Sequence, residues 1–384
     1  MRAGTIGRAP ATALVAVLTL LGAVFLYFFG IDALEARSDF QFFADSATYH
    51  EAARGDLAKV QTLVDLVGIS VNFLGPLVLL RLAGENYYAV LALNALLLAF
   101  SVASLARSMR LDALKLLLVL LANPLTISSL LSVNKEILSL VFVALLVRAY
   151  VAGSLGALLL AALVSMLVRW QLTAFLVVLL MLVGRWNPLR ERRVVTLLGL
   201  LIALSFVYVQ LAAVLEPVRL NFEMSAAEYE GSGAYQWLVE RQDSGLYWLV
   251  FPLKAAHLLF ATGLRFDRLL SPNEIYNDVW QLLHSTMTLV LFIALARARR
   301  VTIANDLVYL SLTYLAVFAL TPIYTPRYFY PVYVFWAIAM VVRSDRPALF
   351  MHSPWSSSRW RQKRRAVSTP RPSNALARSS TDAP

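Results

Sequence analysis

The residues best suited to chemistry lie in the stretch SDFQFFADSATYHEAARGD, at positions 38–56, just after a hydrophobic N-terminal segment. Asp45 and Tyr49 are four residues apart, so a helix that begins near Asp45 would place both on one face with Ala53. Ser46 and the neighbouring acids suit the first turn of such a helix. Two interpretations follow: a capped amphipathic helix at a membrane surface, or a catalytic carboxylate held at the boundary of a bilayer.

The composition places this stretch in a membrane protein. Hydrophobic residues make up 59% of the chain and charged residues 15%, and the mean hydropathy is +0.67, outside the range of soluble globular proteins. Apolar runs of roughly 15–20 residues recur along the sequence, and each is a candidate span. The sequence has no cysteine and only four scattered histidines, which excludes thiol chemistry, disulfides and the usual zinc sites. We expect an all-α, polytopic transmembrane bundle.

The charge distribution predicts how the bundle is oriented. Arg2 and Arg8 precede the first apolar run, so we expect a signal anchor rather than a cleaved signal peptide, with a cytoplasmic N-terminus. Residues 31–65 then lie on the outer side. They carry seven acids against three basic residues, whereas the inferred inner loops are almost purely basic. The alternation of acidic outer loops with basic inner loops predicts about ten crossings, with outer loops at 31–87 and 216–278.

Two apolar segments are not expected to cross. If residues 66–83 did so, the next span would end outside at a basic cluster, against the preference of Lys and Arg for the cytoplasmic side. That cluster is formed by Arg107, Arg110 and Lys115. The same reasoning applies to residues 247–265, because the following span must end inside at RARR, residues 297–300. Both segments are predicted to be interfacial or re-entrant helices in outer loops.

The C-terminal part has a different composition. From residue 344 onward the chain carries eight Lys and Arg residues against two Asp, in a background of Ser and Pro. This composition is typical of disorder and of attraction to anionic lipid headgroups, and we prefer it over nucleic-acid binding. We therefore expect a membrane domain at 1–345 and a basic, disordered cytoplasmic tail at 346–384.

Four stretches resemble the GT-C type glycosyltransferases, membrane enzymes that use polyprenyl-phosphate sugars and include protein mannosyltransferases and aminoarabinose transferases. FADSATYHEAARG, after the first span, is similar to the acidic first outer loop of that superfamily. LGPLVLLRLAGENYYAVLALNALLLAFSVASLARSM resembles its outer-face helix and second span, and LLVLLANPLTISSLLSVNKEILSLVFVALL its Pro-containing third span. YTPRYFYPVYVFWAIAMVV resembles the Arg-Tyr segment that opens a late span. The resemblance covers residues 1–345 and implies a GT-C-like fold.

The resemblance also implies a reaction, the transfer of a sugar from a lipid-phosphate donor to an acceptor hydroxyl. Asp45 matches the acidic position of the family and would be the base that takes the hydroxyl proton. Asp39 would assist it, orient the acceptor or help to hold a divalent cation such as Mg or Mn, with both carboxylates as possible ligands. No other cofactor is expected. A single displacement would invert the anomeric centre.

The departing lipid phosphate needs cationic support. Arg327, flanked by Pro326 and Tyr328, is the first choice, because its planar guanidinium can bind phosphate oxygens bidentately. Lys135 and Arg169 lie at outer ends on the same topology and are further candidates, and Tyr49 and Tyr328 complete the proposed substrate-binding set. For each of these three cations an alternative without a functional role stays open. These alternatives are snorkelling for Arg327, solvation or an ion pair with Glu136 for Lys135, and a simple turn between spans at Arg169.

The sequence is compatible with three functions. The first is a glycosyltransferase of a bacterial inner membrane that acts on the outer, periplasmic face. Its partners would be a polyprenyl-phosphate-linked sugar, a glycan, lipid or protein acceptor, and membrane lipids, with no nucleic acid. The second is a polymerase that joins lipid-linked polysaccharide repeat units. The third is a lipid or polysaccharide transporter, which ranks last because no internal repeat is visible and most charges fall at inferred span ends.

Overall fold

Helices account for 85% of the residues that the computed structural model describes, and no strand occurs among them. The described ranges are 7–29, 46–55, 74–184, 187–210, 233–262, 279–321 and 325–342. The all-α fold class is therefore confirmed. Asp39, Asp45 and the predicted tail at 346–384 lie outside the described residues.

Fifteen α-helices lie in the described residues. In chain order they are α1 (Arg8–Phe29), α2 (Ser46–Gly55), α3 (Leu74–Leu82), α4 (Tyr87–Met109), α5 (Ala113–Leu121), α6 (Pro124–Leu131), α7 (Lys135–Ala152), α8 (Leu155–Val168), α9 (Trp170–Val183), α10 (Arg193–Gln210), α11 (Ala234–Arg241), α12 (Tyr247–Phe260), α13 (Gln281–Arg297), α14 (Asp306–Phe318) and α15 (Tyr330–Val341). A π-helical turn, Gln242–Leu246, joins α11 to α12, and a 3-10 turn, Pro326–Phe329, leads into α15.

Several of these helices have the length and composition of membrane spans. Among the described residues, α1, α4 and α10 qualify singly, and α5 with α6 forms a fourth candidate that bends by 90° at the break between them. Shorter apolar helices are α8, α9, α13 and α14. The membrane character predicted from composition is thus supported by three or four candidate spans. The length and composition of the described helices do not establish about ten crossings.

The helix at the centre of the described bundle is α7. It packs against α4, α6, α8 and α15, and it buries side chains around its whole circumference, which is the pattern of a helix enclosed by neighbours. The first helix differs, because α1 leaves large apolar side chains such as Leu20 and Phe28 exposed on its outer face, as expected for contact with lipid. The charged first turn of α7 is therefore held on all sides by other helices.

The break between α5 and α6 leaves main-chain oxygens that side chains satisfy. Pro124 has no N–H, so the Leu120 oxygen loses its usual helical donor and accepts from the Asn123 N–H at 3.1 Å instead. Thr126 donates its hydroxyl to that oxygen at 2.7 Å, and Tyr333 of α15 donates to the Val119 oxygen at 2.5 Å. Because unsatisfied backbone groups are costly away from water, these bonds make a sharp bend tolerable inside the bundle.

Two short helices lie where the sequence places outer-face segments. The helix predicted from the spacing around Tyr49 is present as α2, with Tyr49 and Ala53 buried and Thr48 and Glu51 exposed, so the amphipathic helix is confirmed for Ser46–Gly55. It packs on α3, whose nine residues extend only about 14 Å at 1.5 Å per residue. That length is about half of a hydrocarbon core, and residues 66–73 of the predicted segment lie outside the described residues.

Candidate functional site

The first turn of α7 carries two adjacent charged residues, Lys135 and Glu136. Asn134 caps this helix by accepting a hydrogen bond from the Glu136 N–H at 3.1 Å. From α4, the buried amide of Asn94 donates to the Ser132 oxygen at 2.9 Å and so fixes the connection that leads into α7. The two charged side chains therefore start from a backbone that is anchored on both sides.

Glu136 is paired with Arg169, the residue at the break between α8 and α9. The Arg169 backbone is extended (φ −161°, ψ 129°), and its Nη2 lies 3.1 Å from Glu136 Oε1. The two side chains are only 5% and 2% exposed, so the ion pair is buried. The same guanidinium lies 4.0 Å from the ring centroid of Tyr328. Arg169 thus joins α7, the α8–α9 break and the turn before α15.

The 3-10 turn before α15 brings a second guanidinium to the same ring. Arg327 is half-buried, and its guanidinium lies 5.8 Å from the ring centroid of Tyr328. The turn is tied to α14 because the Tyr314 hydroxyl donates to the Tyr328 oxygen at 2.6 Å. The charge of Arg327 is close enough to act on Arg169 and opposes the attraction of Glu136. Tyr328 therefore lies against two cations.

Lys135 connects this group to α2. Its Nζ lies 5.5 Å from the ring centroid of Tyr49, and the residue is 7% exposed. The alternative of a solvated Lys135 is therefore wrong. Glu136 forms an ion pair with Arg169, across 33 positions of the sequence. We call Tyr49, Lys135, Glu136, Arg169, Arg327 and Tyr328 the cationic cluster.

The cationic cluster contains three basic side chains and one acid, Glu136, which pairs with Arg169. Guanidinium groups next to aromatic rings suit a phosphate group, which two arginine forks can bind. Among the described residues no group of His, Asp and Glu could hold a metal ion, and the two acids proposed as metal ligands lie outside them.

The structure places five of the seven predicted site residues in two sets of contacts, which meet at the adjacent residues Lys135 and Glu136 of α7. These are Tyr49, Lys135, Arg169, Arg327 and Tyr328. The sequence analysis missed Glu136 as the partner of Arg169 and Asn94 as an anchor. A polar residue inside the apolar α4 was the available signal for Asn94. For Glu136, the signal was an Asn immediately before a charged pair in SVNKE, which marks a helix start but not its partner.

Comparison of the chain with known protein families, with curated proteins and with solved structures found no match.

Proposed function

We propose that the chain is an integral-membrane glycosyltransferase of the GT-C type that moves a sugar from a polyprenyl-phosphate donor to an acceptor hydroxyl on the outer face of a membrane. The observation that carries the proposal is the cationic cluster, in which Arg169 and Arg327 lie against the ring of Tyr328 and Lys135 lies against the ring of Tyr49. Guanidinium groups beside aromatic rings suit the phosphate of a lipid donor, which requires a site within a membrane bundle.

The pairing of helix ends supports the topology that the charge pattern predicts. Arg193 donates to the Ile303 oxygen at 3.0 Å, and Arg300 donates to the Val342 oxygen at 2.7 Å. All four residues lie at ends assigned to the cytoplasm. The contacts of the cationic cluster join ends assigned to the outer side. This agreement supports the proposed sides of these helix ends, and with them the proposal of about ten crossings and cytoplasmic termini. The bacterial inner membrane is proposed from the resemblance alone.

Helix lengths support a site that lies below the outer surface. The α8 and α9 helices have 14 residues each, or about 21 Å, against about 30 Å for a hydrocarbon core. If their other ends reach the inner boundary, Arg169 between them lies about 9 Å below the outer boundary. Asn94, which holds the start of α7, lies seven residues into α4, or about 10 Å from its outer end. Both distances support a site about 10 Å below the outer boundary of the membrane.

In the proposed reaction, the cationic cluster would bind the phosphate and the segment before α2 would supply the base. Asp45, the residue that precedes α2 in the sequence, would accept the proton of the acceptor hydroxyl as its oxygen attacks the anomeric carbon. The bond between that carbon and the phosphate oxygen breaks, and the polyprenyl phosphate leaves with the bonding electrons. Arg327 would bind its phosphate oxygens, while Arg169 holds Tyr328 beside them. Asp39 would orient the acceptor or share a divalent cation with Asp45.

The first test is binding, because it needs no knowledge of the acceptor. Wild type, Arg327→Ala and Arg81→Ala are purified in detergent and titrated with undecaprenyl phosphate. Arg81 is the matched control, since its side chain is 59% exposed on the outer-face helix α3. Loss of a charged hydrogen bond predicts a Kd about 10- to 100-fold weaker for Arg327→Ala and no change for Arg81→Ala. Equal binding by all three proteins would refute the proposed phosphate site.

The second test is transfer from a panel of radiolabelled polyprenyl-phosphate sugars in native membranes, which contain the acceptor. Asp45→Asn is expected to bind the donor but to lose transfer, whereas Glu51→Gln, on the exposed face of α2, keeps wild-type transfer. Full activity of Asp45→Asn would show that Asp45 is not the base. Transfer that requires lipid-linked oligosaccharides instead of single sugars would favour the polymerase alternative.

A further inference from the structure

Two hydroxyl side chains lie on either side of the break that carries Arg169. Ser165 precedes Arg169 by one turn in α8, Thr173 follows it by one turn in α9, and their hydroxyl oxygens are 2.9 Å apart. In an unbroken helix, residues eight positions apart are separated by about 12 Å along the axis. The contact between the two hydroxyls therefore requires α8 and α9 to bend toward each other at Arg169.

The direction of this hydrogen bond follows from a second bond that Ser165 makes within its own helix. The Ser165 hydroxyl donates to the Ala162 oxygen at 2.7 Å. A hydroxyl has one proton to donate and two lone pairs that accept, so Ser165 Oγ accepts from Thr173. A threonine inside a helix usually donates to the main-chain oxygen one turn earlier, as Thr286 of α13 does. Thr173 donates across the break instead, which joins the two helices.

The main chain of Arg169 is fixed from both helices. Its N–H donates to the Ser165 oxygen at 3.1 Å, and its oxygen accepts from the Leu172 N–H at 2.9 Å. Between these bonds the backbone is extended, and the side chains on either side of it diverge: Arg169 is 4% exposed and Trp170 is 49% exposed. Because a single extended residue separates the helices, a change in the angle between them changes where the guanidinium points.

The position of α9 also affects the turn before α15. Phe175, on the buried face of α9, has its ring centroid 5.3 Å from that of Tyr314, in an edge-to-face contact. Tyr314 in turn donates to the Tyr328 oxygen at 2.6 Å. Helix α9 therefore supports Tyr328 through two contacts. The guanidinium at its start lies against the ring, and Phe175 packs on the tyrosine that holds the main chain.

We propose that Ser165 and Thr173 are positioning residues for Arg169. The bond between their hydroxyls sets the angle between α8 and α9, and that angle directs the Arg169 guanidinium at Glu136 and Tyr328. Neither hydroxyl is expected to touch a ligand, because both act through Arg169. The ion pair and the contact with the ring do not depend on any ligand. Only the expected effect on a polyprenyl phosphate rests on the proposed function.

The first test is a double-mutant cycle, with unfolding measured in mixed micelles. Thr173→Val removes the hydroxyl and keeps the volume, and Glu136→Gln removes the charged partner of Arg169. If the hydroxyl bond positions Arg169, Thr173→Val costs less once that partner is gone, so the two losses are less than additive. An average interhelical hydrogen bond in a membrane protein predicts a difference of about three-fold in the unfolding constant. Additive losses would overturn the proposal, because the bond would then only join the helices.

A conservative variant and a matched control accompany the cycle. Thr173→Ser keeps the donor and should behave like the wild type, including the coupling to Glu136→Gln. Thr286→Val is the control, because the Thr286 hydroxyl donates to the Leu282 oxygen of its own helix at 2.8 Å. Its loss should add to that of Glu136→Gln. A Thr173→Ser protein that behaves like Thr173→Val would contradict the role of the hydroxyl.

A titration with undecaprenyl phosphate separates this proposal from the proposed function. If the phosphate lies beside Tyr328, Thr173→Val should raise the Kd about three-fold, whereas Thr173→Ser and Thr286→Val should not change it. A wild type that fails to bind the lipid, with the coupling to Glu136→Gln still measured, would remove the phosphate ligand and leave the positioning pair in place. Binding by the wild type without that coupling would remove the pair and leave the phosphate site.

Discussion

Arg169 and Glu136 form the least exposed ion pair among the described residues, and its position decides what each partner can do. Either charge alone would be buried next to apolar helices, where an uncompensated ion is strongly destabilising. Glu136 neutralises Arg169, whose guanidinium lies against the ring of Tyr328. Arg169 therefore acts best as a support for Tyr328, while Arg327, half-buried on its turn, is the residue proposed to bind the ligand.

Unpairing these charges should destabilise the protein more than removing both. Arg169→Met is expected to lower the free energy of unfolding by about 3–5 kcal/mol, since Glu136 is left buried and ionised. The double variant Arg169→Met with Glu136→Gln should recover most of that loss. Denaturant unfolding in mixed micelles measures both. Arg148→Met is the control, because Arg148 is exposed on α7. Additive losses for the two single substitutions would mean that the charges do not interact.

A second buried cation, Lys254 of α12, predicts a pH dependence. Its Nζ donates to Gln242 Oε1 at 2.6 Å and to the Thr321 oxygen at 3.1 Å, two acceptors that a neutral amine can still serve. Burial lowers the pKa of Lys254 from 10.5 to about 7, although Asp243 acts in the opposite direction. The neutral form is thus favoured in the folded protein, whereas the unfolded chain holds the proton up to its ordinary pKa.

The sign of the effect follows from this difference. Between pH 7 and 10.5 the unfolded chain binds more protons at Lys254 than the folded one, so stability should rise with pH, by at most about 1.4 kcal/mol per unit. Unfolding measured at pH 7 and at pH 9 checks this. Lys254→Met should flatten the dependence, while Lys115→Met, at an exposed position of α5, should keep it. An equal slope in all three proteins would show that Lys254 is not its source.

At the scale of the helices, the approach of α3 to α8 places the outer-face segment next to the cluster. A Cβ on Gly75 would lie 2.7 Å from the Leu167 oxygen, two residues before Arg169. Real Cβ atoms do not come so close to a backbone oxygen, so a larger residue must push the helices apart. The close contact is therefore part of what holds α2, which packs on α3, beside the first turn of α7.

Two glycine substitutions should have opposite effects. Gly75→Ala is expected to lower the free energy of unfolding by about 1–3 kcal/mol, because α3 must move away from α8. Gly156→Ala is the matched control in α8, where an added Cβ meets nothing within 4 Å. It should stabilise the helix by about 0.4–1 kcal/mol through the unfolded state. Unfolding in detergent compares them, and equal effects would show that the α3–α8 contact is not tight.

Helix positions were largely predictable, because each follows from local pattern. The apolar period and Asn86 cap fix α4 at Tyr87–Met109, within the stretch that resembles an outer-face helix and second span, and the spacing around Tyr49 predicts α2. The stretch that resembles a Pro-containing third span is divided by the structure at Asn123 and Pro124. The Asn-Pro pair is a visible signal for a break, but the 90° direction depends on contacts from α13 and α15 that the local sequence does not contain.

The contacts of the candidate site were not predictable in the same way. The topology placed Lys135, Arg169 and Arg327 at one side of the membrane, which was enough to select them. It did not show that Arg169 pairs with Glu136 or stacks on Tyr328, because those partners lie far apart in sequence and periodicity carries no information about them. From a single sequence, a buried ion pair at the end of a span cannot be distinguished from a solvated one.

On the scale of the whole molecule, the orientation of the bundle is the premise on which the catalytic proposal depends. Contacts at one end of the helices join residues from loops predicted to be cytoplasmic, and those at the other join the cluster. The chain contains no cysteine, so single cysteines can be introduced and labelled without background. Exposed positions at both ends are available: Thr48 in α2, Gln236 in α11 and Thr302 between α13 and α14.

Labelling with a membrane-impermeant maleimide should separate the two ends. Thr48→Cys and Gln236→Cys are expected to react from the outside of intact cells, and Thr302→Cys only after the membrane is opened. Thr325→Cys, on the turn before Pro326, should react from the outside but more slowly than Thr48→Cys if the site is recessed by about 10 Å as proposed. Undecaprenyl phosphate should slow Thr325→Cys further and leave Thr48→Cys unchanged. Reaction of Thr302→Cys in intact cells would invert the topology, and the cationic cluster would then face the cytoplasm, where a donor presented on the outer leaflet has no access to it.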